Sequence, residues 1–172
     1  MAVYQYYLAV IPKQGIEKKH DSIPNEIGVS TETGFFESDA GIYWKEAKMK
    51  ADDIVSKVDL IVKRAKWGND KTSIHWKTYT DQVDNDAAIY LDNESLTIRE
   101  FSFRADLREK GLVFLKNMIE LGKENGWLFM DRKGKLMKPD FEEIKNSIQN
   151  SDAHSFLKDP IKFLENIDSK NK

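Results

Sequence analysis

The chain has 172 residues and no cysteine, so a buried core is within reach while disulfide scaffolds, thiol catalysis and cysteine-ligated metal centres are excluded. Hydrophobic residues make up 40% and charged residues 33%, with a net charge of −2. That balance is too apolar for a disordered chain and lacks the strongly basic footprint of a general nucleic-acid binder. The charge is uneven: Lys45–Lys66 carries seven Lys/Arg against four Asp/Glu, whereas Asp81–Glu109 carries eight Asp/Glu against three Arg.

Val3–Ile11 reads as a strand with two apolar faces, Tyr4, Tyr6, Leu8 and Val10 on one and Val3, Tyr7, Ala9 and Ile11 on the other. Two apolar faces predict a central position in a sheet. The run lacks the basic flank, the cleavage pattern and the length of a signal or membrane span, so a cytoplasmic protein without membrane attachment is expected. Pro12 stops the strand. The next thirty or so residues, 12–44, read as a long irregular connection with short structure near Phe35–Phe36, unusually long for a packed domain.

Ala51–Lys66 is the first predicted helix. Asp52 and Asp53 complement its N-terminal amides, and Ile54, Val55, Val58, Ile61, Val62 and Ala65 form one stripe before Gly68. Ser73–Tyr79 alternates as a strand. Asp86–Leu91 and Leu96–Ala105 form a hairpin around Asp92-Asn93-Glu94-Ser95. Asp106 and Glu109 have capping-box spacing and open a second helix, where Leu112, Leu115, Met118, Ile119 and Gly122 share a face. Trp127–Met130 and Leu136–Met137 are short strands about the Asp131–Gly134 turn. Asp140 caps a third helix, and Ser151 and Asp159-Pro160 start two more.

This order predicts an α+β fold: an antiparallel sheet with helices on one face, a ferredoxin-like (split βαβ) variant with a C-terminal helical addition. Residues 1–168 are expected to form a single domain and 169–172 a frayed tail. Ile54, Val58, Ile61, Leu115 and Met118 are the predicted core.

No phosphate-binding glycine loop and no nucleophile elbow occurs. His20, His75 and His154 have no partner at metal-ligand spacing, so no cofactor, metal or catalytic residue is expected. Asp81, Asp84 and Asp86 cluster without the alternation or the glycine of a calcium loop. With Asp92 they form the candidate partner-binding surface, an exposed acidic face for a basic protein. Tyr4 and Tyr6 on one strand, with Phe101 and Phe103 on another, offer the alternative of an RNA-binding module in which bases stack on the aromatics, although the glycines of that signature are missing. An enzyme whose site is assembled from dispersed polar residues is the third reading.

The last third carries Trp127-Leu128-Phe129-Met130-Asp131, the Gly134 turn, Pro139, Ser151-Asp152-Ala153-His154-Ser155-Phe156-Leu157 and Asp159-Pro160-Ile161-Lys162-Phe163-Leu164. This ending resembles that of small bacterial proteins that include immunity-type proteins encoded beside polymorphic toxins. The resemblance implies a cytoplasmic, non-catalytic protein-binding module that neutralises a partner toxin, here a basic one, by surface complementarity. It implies no catalytic residues.

Overall fold

A computed structural model describes residues 3–33 and 36–163. The elements run β1 (Gln5–Pro12), α1 (Lys13–Glu17), β2 (Val29–Ser30), β3 (Glu37–Ser38), α2 (Gly41–Ala47), α3 (Asp52–Asp59), β4 (Ser73–Tyr79), β5 (Asp84–Leu91), β6 (Ile98–Asp106), α4 (Val113–Asn125), β7 (Trp127–Met130), β8 (Leu136–Met137), α5 (Phe141–Gln149) and α6 (Asp152–Lys158). The fold is α+β. Six strands form an antiparallel sheet in the order β4-β5-β6-β1-β7-β8, and β2 pairs with β3 separately. No described helix is long and apolar enough to cross a membrane.

Strand β1 is central, as its two apolar faces require. It pairs with β6 along Gln5–Ala9 and with β7 along Ala9–Pro12. Tyr6, Leu8 and Val10 enter the larger core with Trp76, Ile89, Phe101, Phe103 and Phe129 from neighbouring strands. Helices α3, α4 and α5 close that face with Ile54 and Val58, Leu115 and Met118, and Ile144 and Ile148. Of the predicted core, Ile61 alone is only partly buried.

The second face is not bare, contrary to a single helical layer. Ala9, Ile11, Leu128, Met130 and Leu136 meet Ile16 of α1, Ile27 and Tyr43 of α2 in a smaller core. The covering chain is the 12–44 connection, which holds α1, β2, β3 and the start of α2; helices of five and seven residues and two-residue strands leave no period to read. Phe35 lies outside the described residues, as does the 169–172 tail. Two glycines fix this cover. A Cβ on Gly15 would sit 2.0 Å from the Tyr43 carbonyl oxygen, and one on Gly134, at φ +84°, would sit 2.2 Å from that of Ile27. Trp44 spans both layers, buried in the larger core and donating from Nε1 to the Val10 carbonyl at 2.8 Å.

Two helix boundaries differ from the sequence expectation. The 51–66 helix stops at Asp59, because the chain is needed as cover for the outer edge of β4. Ala65 N–H bonds the His75 carbonyl at 2.8 Å, and Lys77 N–H bonds that of Lys63 at 2.9 Å. Such pairing blunts an otherwise open sheet edge. The corner is held by Asp59, which accepts from Arg64 Nε at 2.6 Å and Trp76 Nε1 at 2.8 Å. The Arg64 bond, aided by that of Trp76, holds the Asp59 carboxyl below its usual range against partial burial. The predicted capping box at Asp106 and Glu109 is likewise not one. The fully buried Asp106 carboxylate is taken by the Arg108 guanidinium at 2.7 Å and the Asp84 N–H at 2.8 Å, so α4 starts only at Val113. The caps at Asp140 and Ser151 are formed, accepting from Glu143 N–H and His154 N–H.

Candidate functional site

The four acidic candidates do not form one surface. Asp84 and Asp86 are buried, on the same face of β5, and both bind Lys77 Nζ. Asp86 also accepts from Arg104 Nε at 2.7 Å and Gln5 Nε2 at 3.2 Å. Their charge is neutralised inside a cross-strand network, set by the register Lys77↔Asp86↔Arg104↔Tyr7. Asp81 is exposed in the β4–β5 turn, and Asp92 is exposed in the β5–β6 turn at the opposite end of β5. Asp92 is committed to its own turn. N–H and hydroxyl bonds from Ser95, then the Glu94 N–H, hold its carboxyl below the usual range. Local acidity in the sequence therefore reflects ladder pairing and turn chemistry.

The aromatics proposed to stack bases are core residues. Phe101 is 0% exposed, Phe103 1% and Tyr6 5%, so none offers a ring face to a ligand. The ring of Tyr4 is covered by the Arg108 guanidinium at 3.4 Å. Of the histidines, His20 contacts the Tyr43 hydroxyl at 3.0 Å and His75 stacks between Trp67 and Tyr90. No group of three or more His, Asp or Glu among the described residues is placed to hold a metal ion.

The arrangement that can take a ligand lies elsewhere, where β1 outruns β7. Strand β7 pairs with β1 only as far as Met130 opposite Ala9, and the chain then turns away through Asp131–Gly134. A cavity of about 520 Å³ opens there, within the range of small-molecule and peptide sites. Its walls include Tyr6 and Tyr7 of β1, Arg132 and Lys133 of the turn, and Ser147, Asn150 and Ser151 of the α5–α6 corner. Glu26, Asp131, Lys135 and Asp152 add further charge of both signs.

Two features order this site. On one side of β1 the Tyr6 hydroxyl donates to Ser147 Oγ at 2.8 Å, and Ser147 Oγ donates to Asp131 Oδ2 at 2.9 Å. The other Asp131 oxygen accepts the Lys133 and Lys135 N–H groups at 2.8 and 3.1 Å. The buried carboxylate is thereby satisfied, and the hydroxyl pair is aligned at the cavity wall. Burial pushes the Tyr6 hydroxyl up to about 12, Ser147 opposing and Asp131 adding to it.

On the other side, the Arg132 guanidinium stands 5.4 Å from the Tyr7 ring, which also meets Phe36 edge-on at 5.4 Å. Burial pushes Tyr7 up to about 12, with Glu100 raising it further and Ser102 and Arg132 opposing. Loss of water lowers the Arg132 pKa, Tyr7 opposing and Arg104 adding. Arg132 forms no ion pair among the described residues. Beyond Tyr7 the same sheet face continues to Tyr90 and Glu100, whose carboxyl is raised by burial, with the Arg99 charge opposing.

Sequence reading misses this site because its parts come from four segments. The signal that was present is local: Asp131-Arg132-Lys133-Gly134-Lys135 packs three cations into one turn. No known family, curated protein or solved structure matches the chain.

Proposed function

We propose that this chain is a non-catalytic binding protein of the immunity type, which captures a partner toxin in the bacterial cytoplasm through the cavity at the end of β1. The observation that carries the reading is the origin of the cavity wall. Asp131, Ser151, Asp152, Ala153 and Phe163 line it, and all five belong to the ending that resembles immunity-type proteins. A shared ending that builds a concave, mixed-charge wall is a recognition surface. The hydroxyl relay is saturated and carries no histidine or free carboxylate within its bonds, which favours positioning over proton transfer.

The reading takes residues 1–168 as one domain, since both cores share β1. It takes the fold as a ferredoxin-like variant: β6 and β7 flank β1, run parallel to each other and are joined by α4, with β4 and β8 added at the two edges. The acidic-face version of partner binding is replaced, because Asp84 and Asp86 are already paired. The test is co-expression with the toxin encoded beside its gene. Asn150→Trp, at an exposed position on the cavity wall, should abolish both protection and the purified complex while leaving the circular dichroism unchanged. A complex indifferent to this substitution removes the cavity from the binding surface.

A further inference from the structure

The direction of the β1 peptide groups identifies what the cavity can hold. In an antiparallel ladder, residues that exchange hydrogen bonds alternate with residues that do not. Leu107 N–H bonds the Tyr4 carbonyl at 3.1 Å, in register with Gln5↔Asp106, so the even-numbered residues of β1 direct their peptide groups to β6. Lys13 N–H bonds the Gly126 carbonyl at 3.2 Å, in register with Pro12↔Trp127, so the odd-numbered residues direct theirs to β7. Ala9 and Ile11 find β7 there. Tyr7 does not, because the residue that would oppose it is Arg132, already in the turn. The Tyr7 N–H and carbonyl therefore face the cavity, with no backbone partner among the described residues.

We infer that the cavity receives an extended segment of the partner polypeptide, which adds as a strand beside Tyr7 in the place β7 vacates and sets an acidic side chain against Arg132. The inference rests on the binding reading above and names the form of the partner. Strand addition at a sheet edge draws affinity from main-chain hydrogen bonds and specificity from alternate side chains. Both are provided here. Alternate residues of an added strand point to opposite sides of the sheet. One set would meet the Tyr6–Ser147 hydroxyls, the other the Tyr7 ring and the Arg132 guanidinium. Arg132 is a fork-shaped donor without a carboxylate, and a carboxylate matches it in two parallel bonds. A polypeptide alone brings peptide groups and a carboxylate at strand spacing.

The test uses the full chain, labelled with nitrogen-15, and four synthetic pentapeptides blocked at both ends: Val-Glu-Val-Glu-Val, its Gln counterpart, and two forms of the Glu peptide N-methylated at alternate residues, one in each register. In the free protein the Tyr7 amide should exchange with solvent readily. The Glu peptide should slow that exchange and shift the Arg132 Nε–H resonance, and the Gln peptide should bind about tenfold more weakly, the usual value of one charge-assisted bond. At least one N-methylated register should fail to bind. Arg132→Gln should erase the preference for Glu over Gln while the Gln peptide still protects Tyr7. A Tyr7 amide already protected in the free chain, or unaffected by millimolar peptide, overturns the inference. So does sodium acetate producing the same protection, which would leave a bare anion site. A toxin complex that Asn150→Trp abolishes but that leaves Tyr7 exchange unaltered in the parent chain would overturn strand addition and keep the cavity as binding site.

Discussion

The Tyr6 hydroxyl donates to Ser147 Oγ at 2.8 Å, tying the central strand to α5 across 141 residues of sequence. Ser147 passes the bond on to Asp131 Oδ2, so one side chain satisfies two neighbours. Removing an end of such a chain costs less than removing its middle. Tyr6→Phe should destabilise by about 0.5–1.5 kcal/mol, and Ser147→Ala, which strands a hydroxyl and a buried carboxylate oxygen, by about 1–3 kcal/mol. Urea denaturation of both variants and the double variant checks this. Additive losses would show that Tyr6 and Ser147 are not coupled.

Asp84 and Asp86 should behave as structural residues, and Asp81 and Asp92 as surface ones. Asp84→Asn and Asp86→Asn each weaken a partly buried link to Lys77, and the latter also weakens that to Arg104. A loss of roughly 1–3 kcal/mol is expected for each, since a charged partner is left underpaired. Asp81→Asn should fall within about 0.5 kcal/mol of the parent, as exposed positions do. Thermal melts at constant pH rank the variants. Equal, small effects at all positions would restore the picture of one solvated acidic face.

What the sequence discloses and what it hides divide by length scale. Apolar patterning located β1 and α4, turn residues with β-branched and aromatic content located the β5–β6 hairpin, and the Asp140 cap located α5. The same stripe logic overran α3. Ile61, Val62 and Ala65 keep helical spacing, yet tertiary demand at the β4 edge draws Lys63–Ala65 into pairing. Acidic clustering misled in a similar way: Asp84 and Asp86 lie one pleat apart facing Lys77 and Arg104, which are distant in sequence and adjacent only through register. The cavity was hidden for the same reason. It depends on where β7 stops relative to β1, a relation between strands that no single segment encodes.

The stripe on α3 yields a graded test. Ile54 is fully buried, whereas Ile61 lies past the helix end and is only partly covered. Ile54→Ala should cost about 2–5 kcal/mol, the range for aliphatic truncation in a packed core. Ile61→Ala should cost distinctly less, about 1 kcal/mol, because less area returns to water. Denaturant midpoints at unchanged slope measure both. Comparable losses would mean that the helix continues to Lys66 and buries Ile61 as the bare stripe implies.

Tyr6 and Tyr7 make the fold sensitive to alkali in a defined direction. Burial is the main cause in both, pushing each hydroxyl up to about 12 in the folded chain, against about 10 for an unfolded tyrosine. A raised pKa means that the native state prefers the neutral phenol. The associated stability is complete below about pH 10, where both states are protonated, and is lost as pH climbs towards about 12. Tyrosinate absorbance should therefore show these residues ionising late, together with the loss of tertiary circular dichroism. Tyr7→Phe should remove one late-ionising tyrosine and shift the alkaline transition upward, since one group no longer drives unfolding by deprotonation. Ionisation of all tyrosines near pH 10 with the fold intact would place both hydroxyls in water and dismantle the described walls of the cavity.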